Sequence, residues 1–411
     1  MLTDRGRYAL ALGGVTYLAG WAFGSDPLYP VAIGLVLVVA GAALWVRLVA
    51  KPVRLRRAIR GGDHVAGDDV PVTVELNVEG RIVPRTMTIV ESVERQGRRE
   101  VELVHRAGKR LRGDYVIEQL PRGRYPFLPA EIAIEDPFSL ERREVVLDAP
   151  GALLVYPRLV ELDTLFSETG SRVQEGRRLL MRRPSGFDLH SVRDYVQGES
   201  LRRVHWPTTA KRGKLMVKDL EDSPRDEALV ILDGDAAHVI GEGAGSSFEV
   251  CVSAAGSILR AHGGRGRRAA LLLNGLAPRY QPVHTLDGDW DLALELLASA
   301  EPDGRNGVAA LLVDGAGAPS KALELCVVTS GLSPQLSDRL LQRSVTRRGT
   351  SVVYVDPTSF APRPSEGPPP DAKVQLARLD HAGIAVTVVR RGDDLAPRLG
   401  PRPILGATAV G

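Results

Sequence analysis

The 411-residue sequence predicts a multidomain protein: an N-terminal transmembrane helical hairpin, an antiparallel β-sandwich, then an α/β doubly wound domain. Three observations predict it. Two apolar runs without charge stand close together near the N-terminus, and a series of segments with period-two alternation follows them. From Glu227 onward apolar strands alternate with helical stretches, the pattern of a parallel sheet covered on both faces. The expected boundaries are 1–52 for the hairpin, 53–158 for the sandwich, 159–225 for a basic linking segment and 226–411 for the α/β domain, with a Pro-rich surface loop at 361–370. A chain of this length exceeds what one hydrophobic core organises.

The hairpin comes first. Tyr8 to Phe23 and Leu28 to Val46 carry no charge, and Gly24-Ser25-Asp26-Pro27 breaks them apart. A helix rising 1.5 Å per residue needs roughly 20 residues to cross the hydrocarbon layer. The second run meets that length; the first gains it if Tyr8, Tyr17, Trp21 and Tyr29 include interfacial anchors. A cleaved signal peptide is the other reading of the first run, and the second follows too closely to favour it. Arg5 and Arg7 precede the first run, Arg47, Lys51, Arg54, Arg56, Arg57 and Arg60 follow the second, and the turn holds only Asp26. Basic residues stay on the cytoplasmic side, so the expected location is the cell membrane, multi-pass, with both termini and the soluble body cytoplasmic. Topology alone accounts for the basic cluster without lipid recognition.

Next come the strands. Val70, Val72, Val74, Leu76 and Val78 alternate with polar or small residues, and shorter runs recur at Met87 to Val93, Val101 to Val104, Tyr115 to Leu120, Glu131 to Ile134, Val145 to Leu147 and Leu153 to Tyr156. Gly and Pro punctuate them, as in a sandwich. Pro121 to Tyr125 and Asp136-Pro137-Phe138 read as turns.

Whole-chain charge is nearly balanced, with 53 Lys plus Arg against 50 Asp plus Glu, and singles out no class of partner. The balance is local. Between Arg172 and Lys218, twelve basic residues face Glu175, Asp188, Asp194 and Glu199. Arg193, Tyr195, Gly198, Glu199, Arg202, Arg203 and Trp206 combine hydrogen-bonding and stacking groups, and Lys211-Arg212-Gly213-Lys214 reads as a basic turn before a strand. Two roles stay open for these residues: locking one domain onto the next, or receiving a protein partner. Nucleic acid is disfavoured, since no recognised motif accompanies the charge.

This segment resembles the signature of the domain-of-unknown-function family number fifty-eight: Arg193, Tyr195, Gly198, Arg202 or Arg203, Trp206, Ala210 and the basic turn match. Arg122-Gly123-x-Tyr125, Asp136-Pro137-Phe138 and Val155-Tyr156-Pro157 resemble the same family upstream. Glu199 stands where Asp is usual, His205 replaces an Asp and Ser139 a Gly. The resemblance implies a membrane-bound protein with a von Willebrand factor A-like C-terminal domain. It also implies, as partners, a MoxR-type AAA ATPase and a transglutaminase-like membrane protein encoded nearby.

In the α/β domain the strand and helix runs are Ala228 to Leu232, Phe248 to Ala261, Ala269 to Leu273, Trp290 to Ala298, Leu323 to Val328, Gln335 to Arg347, Ser351 to Val355, Ala372 to His381 and Ile384 to Val389. Ligand sites in such sheets lie at the C-terminal strand ends, which directs attention to Asp233 through Ala237. The resemblance places the metal motif of A domains there in degenerate form. Asp233 matches, Asp235 and Ala237 replace two Ser, and at Thr329-Ser330-Gly331 the Ser stands where an Asp is expected. Ala offers no oxygen to a hard cation, so an empty metal site is expected, the alternative being a rearranged Mg²⁺ or Ca²⁺ site in which Asp235 binds the ion directly. No cofactor is expected. Gly241 to Gly245 lacks the Lys of a phosphate-binding loop, and the eight His show no metal spacing. Cys251 and Cys326 lie in apolar runs as small buried hydrophobes, without a disulfide framework.

The function expected from these features is that of a membrane-tethered, non-enzymatic scaffold or adaptor docking protein partners. A hydrolase using Asp233 and Asp235, and a metal-dependent adhesion-type module, are the alternatives.

Overall fold

The computed structural model describes residues 1–49, 53–79, 83–84, 86–168, 188–194, 204, 206–221, 228–286, 288–312, 317–345 and 349–401. They form two compact units, Met1–Tyr156 and Pro157–Gly411.

The first unit opens with α1 (Asp4–Phe23) and α2 (Leu28–Val49). Thr3 caps α1 by accepting the Gly6 amide, and Gly24 ends it at φ +62°, a conformation that costs Gly least. Small residues let the two helices approach: Gly13 lies against Ala32 and Leu35, Gly20 against Leu28. Among the described residues, α2 is the one helix long and apolar enough to cross a membrane. The first turn of α1 carries Asp4, Arg5 and Arg7.

The β-rich part contains β1 (Val53–Ile59), β2 (His64–Val65), β3 (Val70–Val78), β4 (Thr86–Val93), β5 (Gly97–Ala107), β6 (Arg110–Ile117), β7 (Gly123–Pro126), β8 (Ala130–Glu135), β9 (Arg142–Leu147) and β10 (Ala152–Tyr156). Seven strands form one antiparallel sheet in the order β1-β3-β6-β5-β4-β8-β9, and β2-β10-β7 form a smaller one. The expectation of two facing sheets is refined by this. A wide sheet twists, and here the twist curls it into a half-barrel whose edge strands β1 and β9 approach each other. Leu153 and Val155 of the small sheet join Val72, Leu76, Ile89, Leu103 and Ile132 of the large one in a single core.

Strand β1 was hidden by its charges, Arg54, Arg56 and Arg57, which read as membrane-flanking cations. Arg57 is instead buried, its Nε 2.8 Å from the equally buried Glu91 carboxylate. Its remaining donors reach the carbonyls of Ala149 and Leu128, and its guanidinium lies 4.8 Å over the Phe127 ring. One cation thus joins β1, β4 and the loop following β9.

In the second unit β11 (Asp188–Asp194) pairs antiparallel with β12 (Met216–Glu221), and α3 (Trp206–Arg212) lies between them in sequence. A six-stranded mixed sheet follows: β13 (Ala228–Asp233), β14 (Ala269–Asn274), β15 (Arg279–Val283), β16 (Glu324–Thr329), β17 (Gly349–Val355) and β18 (Ala385–Val389), in the order β15-β14-β13-β16-β17-β18. All pairs are parallel except β14–β15. The antiparallel edge strand corrects the expectation of an all-parallel sheet. A short turn after Asn274 returns the chain directly, with no crossover helix, and Pro282 sits in this edge strand.

Both faces are covered. Along β13, Val230 and Leu232 enter one core with Val252, Ala255 and Leu259 of α4 (Ser247–Gly264), Leu297 of α5 (Asp289–Ala298) and Leu399 of the C-terminal helix Leu395–Leu399. Leu229 and Ile231 enter the other with Leu336 and Leu340 of helix Pro334–Val345 and Leu379 of helix Pro370–His381. Burial on both sides is why these strands read as continuous apolar runs.

Candidate functional site

Strand order reverses between β13 and β16, and in an open α/β sheet that switch point lies over the C-terminal strand ends. Asp233 ends β13, Asn274 ends the neighbouring β14 and Thr329 ends β16, so the hydrogen-bonded register brings three polar side chains together. Asp233 Oδ2 accepts the Thr329 hydroxyl at 2.6 Å, and Oδ1 accepts Asn274 Nδ2 at 3.0 Å and the Asp235 amide at 3.1 Å. All three side chains are buried. Burial raises the Asp233 pKa above the ordinary carboxylate value, opposed by the hydrogen bonds from Thr329 and Asn274.

The loops beyond these strands are tightly held. Asp235 caps a short 3₁₀ turn, Ala236–His238, by accepting the Ala237 amide at 3.1 Å. The backbone of Gly234 and Gly304 exchanges hydrogen bonds with Asn274 and Ala236 so closely that a Cβ at Gly234 would stand 2.6 Å from the Asn274 carbonyl. Gly331 lies against the His238 ring, where any Cβ would collide with it. The Gly241 to Gly245 loop closes on itself, with Ser247 Oγ accepting the Ile240 amide at 3.2 Å.

Sequence reading located Asp233, Asp235, Thr329 and Ser330 at one place, and the structure assembles them there. Ser330 turns away, its Oγ 3.4 Å from Cys251 Sγ. Both Cys are buried, and burial pushes each thiol up to about 12, so neither is a thiolate nucleophile at neutral pH. Asn274 was missed; its one sequence signal is a polar residue ending the apolar run Ala269 to Leu273.

A hard cation needs oxygens free to face it. Both Asp233 oxygens accept hydrogen bonds, Asp235 Oδ1 accepts the Ala237 amide, Ala237 supplies no oxygen and Ser330 is directed at Cys251, which leaves Asp235 Oδ2 as a lone carboxylate donor where a hard cation needs several. These residues do not fit the metal that an A-domain resemblance implies. Among the described residues no group of three or more His, Cys, Asp and Glu could hold a metal.

The basic signature is placed in part. Arg193 lies in β11 opposite Val217, Trp206 begins α3 and is exposed, and Lys211 and Arg212 are exposed in its last turn. The basic turn foreseen at 211–214 therefore begins as helix. Met216, which begins the following strand, is buried, and its amide donates to Thr209 Oγ1 at 3.0 Å. Tyr195, Gly198, Glu199, Arg202 and Arg203 lie outside the described residues.

The family described as "Protein of unknown function DUF58" matches residues 191–367. The chain is also similar to "Uncharacterized protein YeaD" of Bacillus subtilis (strain 168), 25% identical over 319 residues covering 75% of this chain and 77% of the relative. Among solved structures it aligns with Cwp6 from Clostridium difficile at 10% identity and a TM-score of 0.17, over 73% of this chain and 37% of the other.

Proposed function

We propose that this protein is a membrane-anchored, non-enzymatic docking platform. Its second unit is a von Willebrand factor A-like domain that receives a protein partner on the loops at the switch point. The partner is a MoxR-type AAA ATPase, with a transglutaminase-like membrane protein in the same assembly, and the body lies in the cytoplasm.

The observation that supports this reading is the state of Asp233. Its buried carboxylate accepts hydrogen bonds from Thr329, Asn274 and the Asp235 amide, so it shapes the strand-end loops instead of facing an open surface. Rigid loops around a closed hydrogen-bond cluster suit recognition of a protein surface. The apolar α2 supports the anchor, and the basic residues around the helices support the cytoplasmic orientation. A hydrolase reading draws on the raised Asp233 pKa, a perturbation that catalytic carboxyls share.

Affinity capture of the full chain from detergent-solubilised membranes tests the choice. The expected result is recovery of the ATPase, unchanged by EDTA and reduced by His238→Glu at the exposed loop. Capture that lacks the ATPase, or a hydrolytic activity abolished by Asp233→Asn, overturns it.

A further inference from the structure

The sheet register of the first unit gathers several turns at one end. Val53 begins β1 just after α2 ends at Val49, and it pairs with Val78, whose amide donates to the Lys109 carbonyl in the β5–β6 turn. Thr86 pairs with Val104, and Thr88 with Ala133, so β8 also runs toward this end and the β8–β9 turn lies on the same rim.

That turn is fastened to the helices. The Thr3 amide donates to the Leu140 carbonyl at 3.0 Å, the Thr3 hydroxyl donates to the Ser139 carbonyl at 2.6 Å, and Leu140 is buried with Val39, Ala42, Leu2 and Leu10. Gly6 packs so closely on the Leu140 carbonyl that a Cβ would collide with it. Ala42 lies seven residues before Val49, so the turn stands about 10 Å along α2 from its sheet-side end, beside its apolar run.

The turn is also pre-shaped. The buried Asp136 carboxylate accepts the amides of Phe138 at 2.9 Å, Leu140 at 2.7 Å and Glu141 at 2.6 Å, and Ser139 adopts φ +54°. This framework holds Phe138 outward, with 68% of its surface exposed. Exposed basic residues share this end: Arg5, Arg7, Arg47, Arg106, Lys109, Arg110, Arg142 and Arg143, against Asp4, Glu79, Glu135, Glu141 and Glu144. Arg7 pairs with Asp4, Arg142 with Glu135 and Glu144, leaving a net positive rim.

We infer that the helix-proximal rim of the β-rich unit is a lipid-binding surface, with the β8–β9 turn inserting Phe138 among the headgroups of an anionic bilayer. An aromatic ring is favoured at the membrane–water interface, and Lys and Arg near the surface attract anionic headgroups. The turn orients the soluble sheet on the membrane, which a tether alone leaves free to swivel. The inference rests on the membrane-anchor reading above, since it is the helix pair that brings the rim to the bilayer.

The test uses the full chain reconstituted into vesicles of phosphatidylethanolamine and phosphatidylglycerol. Phe138→Cys is labelled with an environment-sensitive thiol fluorophore; the buried Cys251 and Cys326 stay unlabelled. Val116→Cys, exposed near the opposite end of β6, is the reference. The expected result is blue-shifted emission at 138, quenching by a lipid carrying a nitroxide near its headgroup, and several-fold less quenching by iodide than at 116. Equal iodide quenching at the two positions, with the protein still retained through an alkaline carbonate wash, overturns this inference and leaves the anchor standing. Release of the protein by carbonate overturns the anchor, and this inference with it.

Discussion

Asp233 shows how a single carboxyl serves as architecture. Three donors converge on it from β16, β14 and its own loop, yet burial still makes its ionisation harder than in water. Its folded pKa is raised, so the folded state holds the proton more tightly than the unfolded chain does. The site therefore favours folding most at low pH and loses that contribution as pH rises through the folded value. Asp233→Asn removes this component. In urea unfolding of the full chain in detergent, the stability of the native protein minus that of Asp233→Asn should increase as pH falls toward the ordinary carboxylate range. A difference that does not vary with pH would show an unshifted carboxyl. Asp233 was legible in the sequence because it ends an apolar run, whereas Asn274 gains its role only when parallel pairing sets it beside Asp233.

At the scale of elements, the Arg57–Glu91 pair carries more than its charges suggest. Arg57 holds β1, β4 and the loop after β9 together, and both side chains are removed from water. Arg57→Ala strands a carboxylate in the core, at a cost of about 3–5 kcal/mol. Arg54→Ala breaks an exposed pair with Glu79 and costs less than about 1 kcal/mol. Denaturant titration of the two variants should separate them clearly, and the double change Arg57→Met with Glu91→Leu should recover much of the loss. The same pair explains why β1 escaped sequence reading: alternation breaks at Arg56-Arg57, and nothing local reveals a partner 34 residues on. Strands such as β3 and β13, whose patterns need no distant partner, were legible. The short antiparallel β15 was not, because its Arg279, Gln281 and Pro282 carry no apolar period.

For the molecule as a whole, sequence carried the order of its parts better than the shape of any one. Hairpin, β-rich region and doubly wound sheet follow in the expected succession, since each is encoded by its own hydrophobic period. The curl of the large sheet was not foreseeable; it arises from strands β1 and β9, distant in sequence, meeting at their edges. In the membrane-anchored reading proposed above, orientation is a whole-molecule property too, one that the Arg and Lys flanking the helices would set. A reporter joined after Gly411 should be active in the cytoplasm, and protease added to sealed spheroplasts should leave the body uncut. Cleavage from outside with the membrane intact would reverse the orientation.

The edge strand β15 has a consequence for how this sheet can associate. Open sheet edges are templates onto which another chain can add a strand through its backbone. Pro282 has no amide hydrogen to offer, and its carbonyl already accepts Gln281 Nε2 at 3.0 Å. A peptide approaching there meets a missing donor beside an occupied acceptor. Fibre-like growth and strand exchange are disfavoured at that border, which leaves recognition along it to side chains.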